Sequence, residues 1–172
     1  MEIDAEYGSL VVTGRMASDP PEVLLERYLH EHIPLSAAMG VRVKTAMPER
    51  VQLAAPLGPN VNHNETVFGG SAAALATLAA WGLLHLRLAR TGIRARLLIQ
   101  RSSMEYERPI PGDFEAACRF SDEAAWERFR TTLMRRGRAR LTLAAHLLYE
   151  AQRMAAFQGD FVALLGTSKA TE

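Results

Sequence analysis

The longest apolar stretch of the chain runs from residue 72 to residue 88. It consists mostly of Ala and Leu and contains no Pro, so its composition favours an α-helix. Because the stretch is apolar on nearly every side, other structure must cover it. Ser71 stands where an N-cap is expected, and Gly92 where a helix stops. We predict a buried central helix rather than a membrane span, since His85 ends the apolar run too early for a span.

Alternating apolar and polar positions predict strands on both sides of this helix. A predicted hairpin over 41–46 and 51–55 follows a helix over 22–31 that ends before Pro34. Further strands are predicted over residues 9–13, 94–107, 114–120, 138–150 and 154–165.

Turn residues suggest how the later segments are connected. We expect the strand over 94–107 to pair with its successor in the chain through a Pro-Gly-Asp turn at 109–113. Gly159-Asp160 is expected to interrupt the last strand, and a helix over 124–135 that ends at Gly137 is inserted between strands.

This order of elements predicts an α+β fold in which an antiparallel β-sheet curls around one long helix. The length of 172 residues suits a single domain, which we place over 20–165, between an N-terminal arm (1–19) and a frayed tail (166–172).

Charge and cysteine content narrow the function classes. The net charge of +1 gives no argument for a nucleic-acid or membrane partner. The single cysteine, Cys118, excludes an internal disulfide framework and a cysteine-only metal site, and we expect it to be a buried structural thiol. We expect no metal and no cofactor. The first six residues lack the cationic and apolar regions of a secretion signal, so we expect a cytoplasmic protein.

A polar loop from Asn60 to Phe68 leads through Gly69-Gly70 into the central helix. The first N–H groups of a helix have no intrahelical partner, and glycine lets a ligand approach them closely. An oxyanion that forms on an attacked carbonyl would be stabilised there. A tight turn is the alternative explanation for an isolated Gly-Gly, but the neighbouring Asn62, His63 and Thr66 favour a functional site.

A set of short motifs gives the chain a recognisable resemblance. The motifs are His32-Ile33-Pro34-Leu35-Ser36, Met39-Gly40-Val41, Ala55-Pro56-Leu57, Asn60-Val61-Asn62-His63, Phe68-Gly69-Gly70-Ser71, Ala76-Thr77-Leu78-Ala79, Trp81-Gly82, Arg108-Pro109 and Gly112-Asp113-Phe114. Over about residues 25–164 the chain resembles the hotdog-fold acyl-CoA thioesterases, most closely the thioesterase domain of the YiiD C-terminal type. The resemblance implies the hotdog fold and the hydrolysis of acyl-CoA thioesters.

The resemblance also implies site residues. In related enzymes of the phenylacetyl-CoA type an Asn stands seven residues before a Gly-Gly, as Asn62 does here, and a glycine N–H binds the thioester oxygen, which would be Gly69 or Gly70. Those enzymes carry a carboxylate eight residues after the first glycine, where this chain has Thr77.

A threonine cannot act as a base unaided, so His63 or Glu65 would have to supply one. Structural alternatives stay open for three of the polar residues. Asn62 could bond only within its own loop, Thr77 to the carbonyl four residues before it, and His63 could be a surface residue.

The remaining predictions concern substrate and partners. The residues proposed to contact substrate are Phe68, Trp81, Gln100, Arg101, Ser102 and Arg108. Arginines could hold the phosphates of coenzyme A or an acidic acyl carrier protein, and long edge strands favour a homodimer or a dimer of dimers. Two other functions compete with hydrolysis: a hotdog dehydratase or hydratase, and a non-catalytic acyl-CoA binding module.

Overall fold

A computed structural model describes residues 19–166 of the chain. The predicted arm, the strand near 9–13 and the frayed tail lie outside this range, except for Asp19 and Gly166. The helices are α1 (Pro21–His32), α2 (Pro34–Ala38), α3 (Gly69–Arg90) and α4 (Glu123–Arg136), with a short 3₁₀ helix at Gly58–Asn60. The strands are β1 (Arg42–Met47), β2 (Arg50–Ala55), β3 (Ala95–Tyr106), β4 (Phe114–Arg119), β5 (Arg138–Tyr149) and β6 (Gln152–Leu165).

The strands form one six-stranded sheet in the order β1-β2-β4-β5-β6-β3, and every pair is antiparallel. Helix α3 packs against all six strands, and its residues Leu75, Ala76, Ala79, Leu83 and Leu84 have no exposed surface. The predicted α+β hotdog architecture, a sheet wrapped around a long central helix with an extra helix between strands, is confirmed.

Helix α3 begins earlier than its composition suggested. It starts at Gly69, and its N-cap residue is Phe68, which makes no side-chain capping bond. The prediction of Ser71 as the N-cap is wrong, because the Ala72 N–H already donates to the Phe68 carbonyl at 3.0 Å. Both glycines therefore lie inside the first turn of the helix.

The predicted pairing of the long third strand with the next strand in the chain is wrong. Strand β3 pairs with β6 at the edge of the sheet, whereas β4 lies between β2 and β5. The Pro-Gly-Asp segment does not form a tight turn, because Ile110 is buried and its carbonyl accepts a bond from the Val67 N–H at 2.9 Å. The connection thus crosses the loop between Asn60 and Phe68, which we call the site loop, instead of returning along β3.

The predicted interruption of the last strand at Gly159-Asp160 is also wrong. Strand β6 continues through both residues, with Gly159 opposite Leu143 of β5. A Cβ at Gly159 would lie 2.9 Å from the rings of both Phe157 and Phe161, so only glycine leaves room for these two rings. The glycine therefore serves packing rather than a turn.

Strand β3 carries a β-bulge that decides which of its side chains face the helix. Ile99 pairs with Phe161 and Arg101 with Asp160, so Gln100 is an extra residue. Because paired residues share a face, Ser102 and Tyr106 lie on the same side of the sheet as buried Phe161, and Arg101 lies on the outer side.

One arginine links the C-terminal half of α3 to the start of helix α4. Arg87 is only 7% exposed, and its guanidinium lies 4.3 Å from the ring centre of Phe120 and 4.7 Å from that of Trp126. Its Nη2 donates to Glu123 at 2.7 Å, and its Nη1 to the Pro48 carbonyl at 3.4 Å. This arginine joins the central helix to α4 and to the β1–β2 turn.

Within residues 19–166, α3 alone is long and apolar enough to cross a membrane by length and composition. Its most apolar window is 61% buried inside the protein. The sheet around α3 covers much of its apolar surface.

Candidate functional site

The start of helix α3 has free hydrogen-bond donors. None of the hydrogen bonds found among residues 19–166 uses the N–H groups of Gly69, Gly70 or Ser71. Phe68, just before them, is 56% exposed, so this end of the helix is open. Three unpaired amides at the positive end of a helix dipole offer hydrogen bonds that suit an electron-rich oxygen.

Asn60 fixes the position of this helix start. Its side chain is 1% exposed, and its amide nitrogen donates to the carbonyls of Met39 at 2.9 Å and Pro56 at 2.8 Å. Its own carbonyl accepts a bond from the Phe68 N–H at 2.7 Å. A buried amide with these partners holds the residue next to the free donors against α2 and β2.

The side chain of Asn62 makes hydrogen bonds within the loop between Asn60 and Phe68. Its Nδ2 donates to Thr66 Oγ1 at 3.1 Å and to the Val67 carbonyl at 3.3 Å. Its Oδ1 accepts the Asn64 N–H at 2.7 Å. The side chain therefore makes Asx-type bonds within its own loop, as one of the alternatives from the sequence proposed.

The two candidate bases lie at the tip of this loop. His63 and Glu65 are both exposed, and Glu65 has a left-handed backbone with φ of 60°. Such a conformation costs a non-glycine residue about 1 kcal/mol or more, so the loop bonds of Asn62 must hold it in place. Both side chains are accessible to water.

Thr77 lies two turns into the helix and is half-buried. Its hydroxyl donates to the Ala73 carbonyl four residues earlier at 2.8 Å. The hydroxyl oxygen keeps its capacity to accept a hydrogen bond, but its proton is used by the helix backbone.

Tyr106, at the end of β3, is a site residue that the sequence did not indicate. Its hydroxyl donates to the Gly69 carbonyl at 2.8 Å, and a Cβ on Gly69 would lie 3.2 Å from the same oxygen. Burial raises the pKa of Tyr106, so its hydroxyl remains a donor at neutral pH. Its ring borders the free amides from the β3 side.

The other predicted contact residues are divided between several places. Phe68 adjoins the free amides, and Ser102 lies on the helix side of β3. Arg101 faces outward beside Asp160, while Gln100 forms the bulge. Exposed Arg108 follows Tyr106 closely in the chain and donates to Gln152 at 3.2 Å.

Trp81 lies twelve residues into α3, which corresponds to about 18 Å along the helix axis. It belongs to a stack of four rings in which successive ring centres lie 4.2–5.1 Å apart: His32, Tyr28, His85 and Trp81. This stack fastens α1 to α3, so Trp81 contributes to packing far from the free amides.

We expect the stability of the protein to depend on pH through His85. Burial lowers its pKa from 6.5 to about 4, so the unfolded chain binds a proton at a higher pH than the folded chain does. The free energy of unfolding should therefore fall by roughly 1–3 kcal/mol as pH drops from 6.5 to 4. Denaturant unfolding of His85→Phe, which keeps a ring but cannot titrate, should show a smaller fall, and an equal fall would exclude His85 as the cause.

Cys118 is buried, and burial raises the pKa of its thiol to about 12, in agreement with a structural role. Between Asp19 and Gly166 there is no group of three His, Cys, Asp or Glu side chains that could hold a metal ion.

Asn60 and Asn62 should respond differently to replacement by alanine. Asn60→Ala removes two hydrogen bonds of a buried side chain and should lower the free energy of unfolding by about 2–3 kcal/mol. Asn62→Ala should change melting little but lower turnover of an acyl-CoA at least about tenfold, because its loop borders the free amides. Thermal melting and thiol-release kinetics on both variants test this, and unaltered turnover by Asn62→Ala would remove that residue from the site.

Tyr106→Phe should lower kcat for an acyl-CoA by about three- to tenfold with little change in melting temperature. The change removes one hydrogen bond to Gly69 and leaves the ring in place, so the first helical turn loses support beside the reacting group. Steady-state kinetics measure the effect, and Tyr149→Phe, at the half-buried C-terminal end of β5, is a control with the same chemical change.

Similar structures agree with this architecture. A protein of unknown function from Chlorobaculum tepidum TLS superposes with a TM-score of 0.79 at 28% identity, over 84% of this chain and 94% of that one. A structure described as a "putative thioesterase" from Shewanella oneidensis gives 0.74 at 24% identity, over 83% and 96% of the two chains. One from Pseudomonas aeruginosa described as "probable thioesterase" gives 0.73 at 22% identity, over 86% and 97%. At these identities the latter two show the fold alone.

A match to a family model identifies the family to which the chain belongs. The model described as "Putative thioesterase (yiiD_Cterm)" matches residues 22–165, which include the free amides, the site loop and the whole sheet. The chain therefore belongs to this family, and thioester hydrolysis is the reaction class that its membership indicates.

Proposed function

We propose that the protein hydrolyses acyl thioesters of coenzyme A or of acyl carrier protein to a free acid and a thiol. The observation that carries this proposal is the set of unpaired amides at Gly69, Gly70 and Ser71, in a chain that belongs to a thioesterase family. A thioester carbonyl placed there would be polarised in the ground state and stabilised more strongly as an oxyanion.

The reaction follows from this placement. Water attacks the carbonyl carbon, the oxyanion is held by the amides of Gly69 and Gly70, and the C–S bond breaks to release the thiol. The proton of the attacking water passes to His63 or Glu65 at the loop tip and from there to the departing thiolate, and Asn62 keeps that tip in position. Phe68 and Tyr106 border the reacting group.

The working unit that we propose is a homodimer, or a dimer of dimers, in the cytoplasm. Among the described strands, β3 has a neighbour on one side only, and it exposes Leu98 and Ile99 on opposite faces. An unpaired edge of twelve residues would be covered by a second copy of the same edge.

A second candidate function is binding without catalysis. Thr77 stands where related enzymes have a carboxylate, and its proton is donated to Ala73. A site with donors for a carbonyl oxygen but no assured base would bind an acyl-CoA and leave it intact.

One experiment separates the two functions. Thiol release is measured over a panel of acyl-CoA thioesters, and thermal stability is measured with the same ligands. Release faster than the background supports hydrolysis, whereas stabilisation without release supports binding only. If no thioester is hydrolysed and none stabilises the protein, both proposals are contradicted.

A further inference from the structure

Strand β5 has an unpaired edge over its first half, beside helix α4, and we call it the open edge. The last residues that pair β4 with β5 are Cys118 and Ala145. The chain then turns away from β5, and the Phe120 N–H donates to the Glu49 carbonyl at 3.0 Å. Among the described strands, none pairs with β5 on this side over residues 138–143. Such an edge is a template for one more strand.

The backbone groups of alternate residues point to the open edge. The Leu165 N–H donates to the Gly137 carbonyl at 2.8 Å, so the odd-numbered residues of this part of β5 bond to β6. The Ala144 carbonyl accepts the Cys118 thiol at 3.2 Å, in agreement with even-numbered residues that point the other way. Three residues direct N–H and C=O groups to the open edge, and these groups have no hydrogen-bond partner in the described part of the chain: Arg138, Arg140 and Thr142.

A cleft of about 420 Å³ lies between the open edge and α4, within the range of roughly 300–1,000 Å³ that is typical of binding clefts. Ala125 and Phe129 of α4 line it with apolar surface. Arg128 and Arg140, both exposed, also line it and make it positive. Asp122 is a further lining residue, but its carboxylate caps α4 by accepting the Ala125 N–H at 2.8 Å. The cleft therefore suits a chain that is both apolar and acidic.

The open edge also determines which side chains such a chain needs. Arg138 and Arg140 are exposed on the outer face of the sheet and take part in none of the ion pairs within residues 19–166. Ala139 and Leu141 lie on the helix side and are both 7% exposed. Directly opposite side chains on one face of a sheet interact. A strand on this edge therefore needs acidic residues on the outer face that alternate with apolar residues on the helix side.

The first residues of the chain have this alternation. In the sequence Glu2-Ile3-Asp4-Ala5-Glu6-Tyr7, which we call the acidic segment, every second residue is acidic and the others are apolar or aromatic. Nowhere else in the 172 residues do three acidic residues follow one another at a spacing of two. The complementary pattern on the open edge is thus matched by one place in the chain.

The acidic segment is close enough in the chain to reach the open edge. Glu22, in the first turn of α1, bonds to the backbone of β1 two residues before Pro48. Pro48 and Glu123 are both bonded to Arg87, so the start of α1 lies within about 30 Å of the start of α4. Residues 8–18, which connect the acidic segment to Asp19, can span up to about 36 Å. The connection is therefore long enough for binding within one chain.

We propose that the acidic segment binds to the open edge of β5 in its own chain as an additional strand. Its carboxylates pair with Arg138 and Arg140 on the outer face, and its apolar side chains enter the cleft beside α4. Its backbone bonds to the free groups of Arg140 and Thr142. This inference is independent of the proposed hydrolysis, because the cleft is formed by α4 and β5 and not by the site loop.

Hydrogen exchange of single amides in the full chain tests the proposal. In Asp4→Lys/Glu6→Lys the amide of Thr142 should exchange at least about tenfold faster than in the wild type, because its bond to the acidic segment is lost. The Leu141 amide, which points to β6, should exchange at the wild-type rate. Equal exchange of the Thr142 amide in the two proteins, or an equal acceleration at Leu141, would overturn the proposal.

Glu31→Lys/Glu105→Lys is the matched control. It makes the same change of charge at two exposed acids that form no ion pair within residues 19–166. The Thr142 amide should exchange within about twofold of the wild-type rate in this variant. Acceleration as large as in Asp4→Lys/Glu6→Lys would assign the effect to total charge and overturn the pairing.

An exchange of charges across the proposed pairs tests them directly. Arg138→Glu/Arg140→Glu should accelerate exchange of the Thr142 amide at least about tenfold, because acids then face acids. Combining it with Asp4→Lys/Glu6→Lys should restore exchange to within about threefold of the wild-type rate. A merely structural effect of either pair of changes would not be reversed by the other, so absence of restoration would overturn the proposal.

Dilution tests whether the acidic segment belongs to the same chain. Binding within one chain does not depend on protein concentration, so exchange of the wild-type Thr142 amide should be unchanged by a hundredfold dilution, followed by mass spectrometry. Faster exchange on dilution would assign the open edge to the acidic segment of a second copy and would overturn binding within one chain.

Discussion

Replacing Gly70 by valine is expected to lower kcat/KM for an acyl-CoA by about a hundredfold or more while the protein still folds. The backbone of Gly70 is an ordinary helical one, so valine is allowed there. Its Cβ, however, would lie 2.3–3.0 Å from ring atoms of Phe68, and this ring would have to turn. The side chain and the displaced ring would then occupy the space beside the free amides. Loss of one oxyanion donor costs on the order of 100- to 1,000-fold in rate.

Gly58→Val is the matched control for this variant. Gly58 lies near the same loop, in the 3₁₀ helix, and a Cβ there would have no neighbour within 4 Å. Kinetics of thiol release and thermal melting on both variants are the measurements. A Gly70→Val protein that is folded and hydrolyses thioesters within threefold of the wild-type rate would place the reacting carbonyl elsewhere.

Replacing Arg87 by alanine is expected to lower the free energy of unfolding by about 2–4 kcal/mol. The change removes contacts with the rings of Phe120 and Trp126 together with a bond to the Pro48 carbonyl, and it leaves a cavity under α4. Little of the loss should come from Glu123, since its side chain is mostly exposed and water can solvate it.

Arg90→Ala provides the comparison, because Arg90 lies one turn further along the helix and its ion pair with Glu49 is exposed at both ends. Its free energy of unfolding should change by no more than about 0.5 kcal/mol. Equilibrium denaturation of both variants measures the difference. If the two changes lower the free energy of unfolding equally, the burial of Arg87 between the rings contributes nothing to stability.

The sequence predicted the parts of the fold that depend on local periodicity. The central helix followed from its apolar composition, and the β1–β2 hairpin from alternation. The end of α4 followed from Gly137, whose φ is 70°. Each of these features is decided by neighbouring residues, so a single chain was enough to find them.

Strand pairing could not be predicted in the same way. A Pro-Gly-Asp segment commonly makes a tight turn, but here buried Ile110 ties the segment to Val67, a residue far away in the chain. The start of α3 was misplaced for a similar reason. The helix begins where Asn60 fixes Phe68, not where a residue with a capping side chain stands.

The sequence predicted part of the candidate site. The glycines and their unpaired amides could be predicted because helix starts always leave such groups free. Tyr106 could not be found, because its bond to Gly69 joins residues that are 37 positions apart. For Asn62 and Thr77 the sequence left a catalytic and a local role open, and their bonds within the loop and the helix are now known.

The extra residue in β3 determines where this protein can change length during evolution. Because Gln100 has no partner in the register, deleting it would restore strict alternation and keep Ser102 and Tyr106 directed toward the helix. Deleting any one residue between Arg101 and Glu105 would instead turn Tyr106 away from Gly69. Homologues with a shortened β3 are therefore expected to lack the counterpart of Gln100 and to keep the tyrosine.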